Sequence, residues 1–257
     1  MTLPAHPIIV IPARMAARRL PGKPLADIHG EPMIVHVWRR AVESGVGPVL
    51  VACADAEIAA AVAAAGGEAL MTRPDHPSGS DRVFEAVRSV DPAGVHDAVI
   101  NLQGDLPTIA ASAVSAVLDP LRDPEVDIGT VACPVSEDAD RGDPNVVKAV
   151  VSFAPSAAAG RALYFTRAAA PSGDGPLLHH IGVYAFRRPA LERFVGLPPA
   201  PLETREKLEQ LRALEAGMRI GVAVVDTLPL GVDTPPDLER ARAILAPRGA
   251  APGSVPE

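Results

Sequence analysis

Residues 8–23 read IIVIPARMAARRLPGK: an unbroken apolar run from Ile8 to Ile11, then a loop punctuated by Pro12, Pro21 and Gly22. An apolar run that does not alternate suits a parallel strand buried on both faces. Val49-Leu50-Val51-Ala52 and Val99-Ile100-Asn101-Leu102 have the same character. Between the first two runs, residues 32–44 place Ile34, Val37, Trp38, Ala41 and Val42 on one helical stripe, with Pro32 at its start and Gly45 past its end. Residues 55–65 read as a second, Ala-rich helix stopped by Gly66-Gly67. This β-α-β-α rhythm predicts an α/β fold built on a doubly wound, mostly parallel sheet. Ligands of such sheets bind outside the carboxyl ends of the strands, which singles out the loops after Ile11, Met71 and Leu102.

From about Gly129 the rhythm changes. Residues 146–151 and 181–186 read as strands, and 154–176 between them are rich in Ala, Pro and Gly. The stretch 129–190 is therefore expected to be an inserted β-rich element, an arm for dimerisation. Residues 202–216 read as one helix with Leu208, Leu211 and Leu214 on its buried side, followed by a strand near 220–225 and a last helix over 235–245. A single domain over 7–246 and a disordered polar tail over 247–257 complete the expectation.

The net charge of −7 argues against a general nucleic-acid or anionic-membrane surface. The two cysteines, Cys53 and Cys133, sit among apolar residues and read as buried thiols of a reducing compartment. No signal-peptide pattern opens the chain, and no apolar run approaches the roughly 20 residues of a membrane span. The expectation is a soluble, cytoplasmic protein.

Against this acidic background the first 26 residues hold no acid, yet carry Arg14, Arg18, Arg19 and Lys23 in the loop after the first run. A solvated basic turn would have such residues. So would a polyphosphate cradle, in which backbone N–H groups and flexible Gly22 approach the phosphates and Lys23 supplies a point charge. Pro24 follows Lys23, so this is no Walker P-loop, and no Gly-x-Gly-x-x-Gly follows the first run, which argues against a nicotinamide dehydrogenase. The histidines show no metal-ligand clustering and no Ser-His-Asp signature stands out, so zinc chemistry and covalent hydrolysis fit poorly.

The run 8–34, IIVIPARMAARRLPGKPLADIHGEPMI, closely resembles the start of the 3-deoxy-manno-octulosonate (Kdo) cytidylyltransferases. The likeness continues through MTRPDHPSGSDR (71–82), NLQGDLP (101–107), DPNVVKAV (143–150), ALYFTR (162–167), HIGVYAFR (180–187), PLETREKLEQLRAL (201–214) and GVDTPPDLERAR (231–242). The loop Arg-Leu-Pro-Gly-Lys alone marks only the wider sugar nucleotidyltransferases. The full set in family order is far more specific, and implies a nucleotide-diphospho-sugar transferase-like fold.

The resemblance implies a role for each matching residue. Asp105 and Asp233 would bind one Mg²⁺, although each could also be a turn or helix-cap residue. Ala13, Arg14, Arg19, Lys23, Arg73, Ser78 and Gly79 would bind the nucleotide, the last three reading cytosine. Arg14 and Lys23, with the two aspartates, would be catalytic. His76 is as well suited to bracing that loop as to touching ligand. Gln103, Arg167, His180, Tyr184, Glu209 and Gln210 would line the site of the sugar acid. Arg167 equally suits a surface ion pair, His180 a satisfied core position and Tyr184 plain packing. The implied partners are CTP and a Kdo-type acid, in a homodimer serving lipopolysaccharide assembly. A cytidylyltransferase for sialic acid or an amino-Kdo analogue, or a non-catalytic nucleotide-binding homologue, would share many of these features. The chain departs from frequent family residues at Arg18 (often Thr), Leu106 (often Glu) and His179 (often Arg).

Overall fold

The computed structural model describes residues 2–16, 19–155 and 157–247. Arg18 lies outside the described residues, as does all of the expected tail except Pro247. The first half runs β1 (Pro7–Ala13), a 3-10 turn at Lys23–Leu25, the hairpin strands β2 (Asp27–Ile28) and β3 (Glu31–Pro32), then α1 (Met33–Glu43), β4 (Val49–Cys53), α2 (Ala56–Ala64), β5 (Glu68–Met71), α3 (Gly79–Val90) and β6 (Ala98–Leu102). After α4 (Ala111–Ala116) come β7 (Ile128–Pro134), α5 (Asp138–Gly142), β8 (Lys148–Ser152), β9 (Ala159–Thr166) and β10 (Leu178–Arg187). The chain then runs through α6 (Arg188–Val195), α7 (Pro201–Glu206), α8 (Leu211–Glu215), β11 (Ile220–Val224) and α9 (Pro235–Leu245).

One sheet of nine strands takes the order β5-β4-β1-β6-β10-β7-β11-β9-β8. The three continuous apolar runs of the sequence are β1, β4 and β6, parallel to one another and to β5. Both faces are covered, as their lack of alternation requires. Ile9, Ile11, Val51, Ile100 and Leu102 pack beneath α1, α2 and α4. Ile8, Val10, Leu50, Ala52 and Val99 pack with Val83, Ala86 and Val87 of α3 and Phe194 of α6 on the other side. Each such aliphatic side chain, fully buried, stabilises the fold by about 1.5–3 kcal/mol before ordering costs.

Two expectations need correction. The stretch 129–190 is β-rich but does not stand apart from the main sheet: β10 lies between β6 and β7, antiparallel to both. Within this β-rich stretch the interval 154–176 supplies β9, whose exposed Arg161 and Leu163 alternate with buried Ala162. Residues 202–216 are two helices rather than one, because Lys207 takes a left-handed conformation (φ 59°) that ends α7. Both cysteines are buried and free. Among the described residues no helix is long and apolar enough to cross a membrane.

A smaller apolar cluster does the positioning that matters most. Ile28 and Met33 of the N-terminal hairpin region pack against Val232, Leu238 and Ala241 at and before α9. The Arg242 guanidinium donates twice to the Asp27 carbonyl, at 2.9 and 2.7 Å. The last helix is thereby docked beside the basic loop that follows β1.

Candidate active site

The loops after β1, β5 and β6 converge at the carboxyl edge of the parallel strands on a cleft of about 530 Å³. Ala13, Arg14, Arg19 and Lys23 line one side, with Ser78, Gly79, Gln103, Asp105 and Asp233 around the rest. The Met15 N–H donates to the Asp55 carboxylate at 2.8 Å and pins the basic loop to the turn after β4. Gly22 adopts φ 70°, a region that favours glycine, immediately before the Lys23 turn. Gly104 permits close approach of two loops: a Cβ there would lie 2.9 Å from the Pro12 carbonyl oxygen.

Asp105 is tied to the turn that carries Asp233, since the neighbouring Val232 N–H donates to the Asp105 carbonyl at 2.9 Å. Their carboxylates meet at Lys23, whose Nζ lies 2.7 Å from Asp105 Oδ2 and 3.1 Å from Asp233 Oδ1. Arg19 Nη2 sits 2.8 Å from Asp233 Oδ2. Burial alone would lower the Lys23 pKa, but Asp105 and then Asp233 outweigh it and the net shift is upward. Asp233 does not cap α9. That task falls to Thr234 and Asp237, whose carboxylate accepts from the Thr234 N–H at 3.0 Å and hydroxyl at 2.7 Å, leaving Asp233 free to face the cleft.

Other residues singled out from sequence are placed differently. Arg73 is not on the cleft wall; its exposed guanidinium reaches toward Asp75 and Glu85 at 3.8 and 3.7 Å. Ser78 caps α3, its hydroxyl accepting from the Asp81 N–H at 3.2 Å and donating to the Asp81 carboxylate at 2.6 Å. His76 lines the cleft with its ring bonded to Glu85, so it braces the loop. Arg167 acts as a staple: Nε donates to the Glu206 carbonyl at 2.7 Å and Nη1 to the Pro144 carbonyl at 2.9 Å. Nearby, buried Lys148 donates to the carbonyls of Asp143 and Val146, both at 2.6 Å, and fixes the same segment. His180 is a core residue, its Nε2 3.0 Å from the Thr130 hydroxyl and its ring between Phe165 and Tyr184. Burial pulls its pKa down to about 3, so the ring is neutral near pH 7. Tyr184 is half-buried, with its phenol pKa raised by burial and by Glu209. Glu209 Oε1 and Gln210 Nε2 are buried without a hydrogen-bond partner among the described residues. Such orphaned groups are costly unless a ligand satisfies them.

A family model described as cytidylyltransferase matches residues 8–220. A 3-deoxy-manno-octulosonate cytidylyltransferase of Rhodospirillum centenum is 68% identical over 98% of both chains. One of Paramagnetospirillum magneticum is 65% identical over 93% of this chain and 97% of its own. The chain belongs to the 3-deoxy-manno-octulosonate cytidylyltransferase family. Among solved structures, CMP:2-keto-3-deoxy-manno-octonic acid synthetase complexed with CTP superposes with a TM-score of 0.86 at 42% identity, over 94% of this chain and 99% of that one. A nucleotidyl transferase from Methanothermobacter thermautotroptrophicus, 15% identical over 93% of this chain and 97% of its own with a TM-score of 0.58, shares the fold alone.

This cytidylyltransferase offers a divalent cation only two carboxylates; no group of three or more His, Cys, Asp or Glu converges among the described residues. That donor set fits Mg²⁺, which keeps several waters and is usually held by one or two carboxylates together with substrate phosphates. The convergence of both carboxylates on one ammonium shows that they can share a cation.

The sequence reading missed Arg82 of α3. It lines the cleft although only 2% exposed, and its Nη1 donates to the Thr72 hydroxyl and, at 3.1 Å, to the Arg73 carbonyl. Burial and then the nearby Arg14 lower its pKa, an arrangement that an anionic ligand would relieve. Its signal was helical spacing, since residue 82 falls one turn after Ser78 and shares that face.

Proposed function

We propose that this chain transfers CMP from CTP to the anomeric hydroxyl of Kdo, giving CMP-Kdo and pyrophosphate. The observation that carries the reading is the meeting of Lys23, Asp105 and Asp233 in a cleft flanked by Arg14 and Arg19. It is supported by the full-length likeness to 3-deoxy-manno-octulosonate cytidylyltransferases and to a synthetase complexed with CTP.

The anomeric oxygen attacks the α-phosphorus, the bond from that phosphorus to the β-phosphate oxygen breaks, and pyrophosphate leaves with the electron pair while the hydroxyl proton passes to solvent. Asp105 and Asp233 would hold a Mg²⁺, which when bound supplies Lewis-acid polarisation to the reacting oxygens. Lys23, kept cationic by its carboxylates, and Arg14 place fixed positive charge where negative charge develops on the leaving group. Ala13 and Gly79 bring backbone close to the nucleotide, and Arg19 steers the triphosphate. Gln103, Tyr184, Glu209 and Gln210 face the sugar acid, with His180 and Arg167 supporting them from behind.

The same reading extends to a cytoplasmic homodimer that pairs through the β-rich stretch 129–190 and supplies lipopolysaccharide assembly, with no nucleic-acid or membrane partner. The test is Mg²⁺-dependent pyrophosphate release from CTP with Kdo, sialic acid or no acceptor. Release with Kdo alone supports the assignment. Release only with sialic acid moves the substrate, and none with any acceptor overturns the enzymatic reading.

A further inference from the structure

Gln103 on the cleft wall and Glu209 before α8 are far apart in sequence, yet they are joined by two buried residues to which no role is assigned above. Gln103 Nε2 donates to Asn101 Oδ1 at 3.0 Å, Asn101 Nδ2 to Ser80 Oγ at 3.3 Å, and Ser80 Oγ to Glu209 Oε2 at 2.9 Å. Asn101 is 1% exposed and Ser80 2%.

The direction of this chain is fixed at its charged end. An ionised carboxylate only accepts, so the single Ser80 proton points at Glu209. The Ser80 oxygen then accepts from the Asn101 amide nitrogen, which leaves Asn101 Oδ1 to accept from Gln103. With its nitrogen engaged, Gln103 presents Oε1, without a donor among the described residues, beside Gly79, 3.6 Å from where a Cβ on that glycine would lie. At the other end Glu209 Oε1 is buried and has no hydrogen-bond partner among the described residues. Its nearest cation, Arg212 Nη2, is 3.9 Å away and already pairs through Nε and Nη2 with Glu203 at 2.8 and 2.6 Å.

We propose that Ser80 and Asn101 are positioning residues that hold Glu209 off Arg212 and fix Gln103 as an acceptor, so that two free oxygens meet the hydroxyl donors of the sugar acid. This rests on the reading that Gln103 and Glu209 face that substrate. Without the Ser80 hydroxyl, Glu209 is free to close on Arg212, and the last link of the chain is lost. The nucleotide side, built from Lys23, Arg14 and the aspartates, does not depend on it.

The test compares the full chain with Ser80→Ala and Ser80→Thr, measuring KM for Kdo, KM for CTP, kcat and Tm. Ser80→Ala should raise KM for Kdo about tenfold, the lower end of what a hydrogen bond to a charged group is worth, and leave KM for CTP within about twofold. Ser80→Thr keeps the hydroxyl and should recover most of the loss. An unchanged KM for Kdo in Ser80→Ala overturns the proposal, as does an equal rise in both KM values that Ser80→Thr fails to rescue. A wild-type chain inactive with Kdo overturns the functional reading and this proposal together, whereas an active wild type with an unaltered alanine variant overturns this proposal alone.

Discussion

Lys23 Nζ lies 2.7 Å from Asp105 Oδ2 across 82 residues of sequence. Through the same ammonium Asp105 is linked to Asp233, a further 128 residues along (233 minus 105) and held 3.1 Å from Nζ. One cation therefore gathers the loop after β1, the loop after β6 and the turn before α9. The apolar contact of Ile28 and Met33 with Val232 and Leu238 supplies the rigid frame for this meeting. The charges at its centre remain adjustable, because a divalent cation and Lys23 would draw on the same carboxylate oxygens.

Lys23→Ala should lower kcat by the ~10²–10³ typical of one group stabilising transition-state charge. KM for Kdo should change little, because the residue faces the nucleotide side. Steady-state pyrophosphate release checks this. Wild-type turnover would reduce Lys23 to a member of a solvated basic turn.

Asp105→Asn or Asp233→Asn should each remove most activity while leaving the circular dichroism spectrum intact. The rise in Tm produced by Mg²⁺ with CTP should disappear in both. The double variant should be no worse than the worse single one, because both carboxylates act on one cation. Additive losses would separate their roles.

Arg167→Lys tests the staple. A lysine cannot reproduce a planar fork that reaches the Glu206 and Pro144 carbonyls at once. Tm should fall by at least ~2–4 °C, the shift that about 1 kcal/mol produces in a chain of this size. An unchanged Tm with a raised KM for Kdo would instead make Arg167 a ligand of the sugar acid.

His180 makes stability depend on pH. Its folded pKa is pulled from 6.5 to about 3, first by burial and then by the neighbouring His179. Between those values the unfolded chain binds a proton that the native chain refuses, so stability is full above pH 6.5 and falls as pH drops toward 3. The contribution approaches ~1.4 kcal/mol per pH unit within that window. Urea unfolding of wild type and His180→Gln at pH 7, 6, 5 and 4 should show the steeper fall in wild type. Parallel curves would contradict the burial-driven shift.

Much of the parallel half was legible because β1, β4 and β6 are covered on both faces and therefore appear as unbroken apolar runs. β9 was hidden because its short alternation sits in a window dominated by Ala, Pro and Gly. The break between α7 and α8 was invisible because a lysine, Lys207, adopts the left-handed turn where glycine would have announced it. In the site, Lys23, Asp105 and Asp233 could be named from loop position and likeness, but no local pattern encodes a contact across 210 residues. Asn101 carried an unread signal, one amide inside an otherwise apolar strand, where burial demands partners.

The most direct test follows the α-phosphate. Wild-type chain is mixed with Mg²⁺, Kdo and CTP labelled with ³²P at either the α or the γ position, and the products are separated. The account predicts α-label in a sugar nucleotide and γ-label in pyrophosphate, in equal amounts and only when Kdo is present. Label released as inorganic phosphate, or α-label recovered as CDP or free CMP with no sugar nucleotide, would contradict attack at the α-phosphorus by the sugar acid.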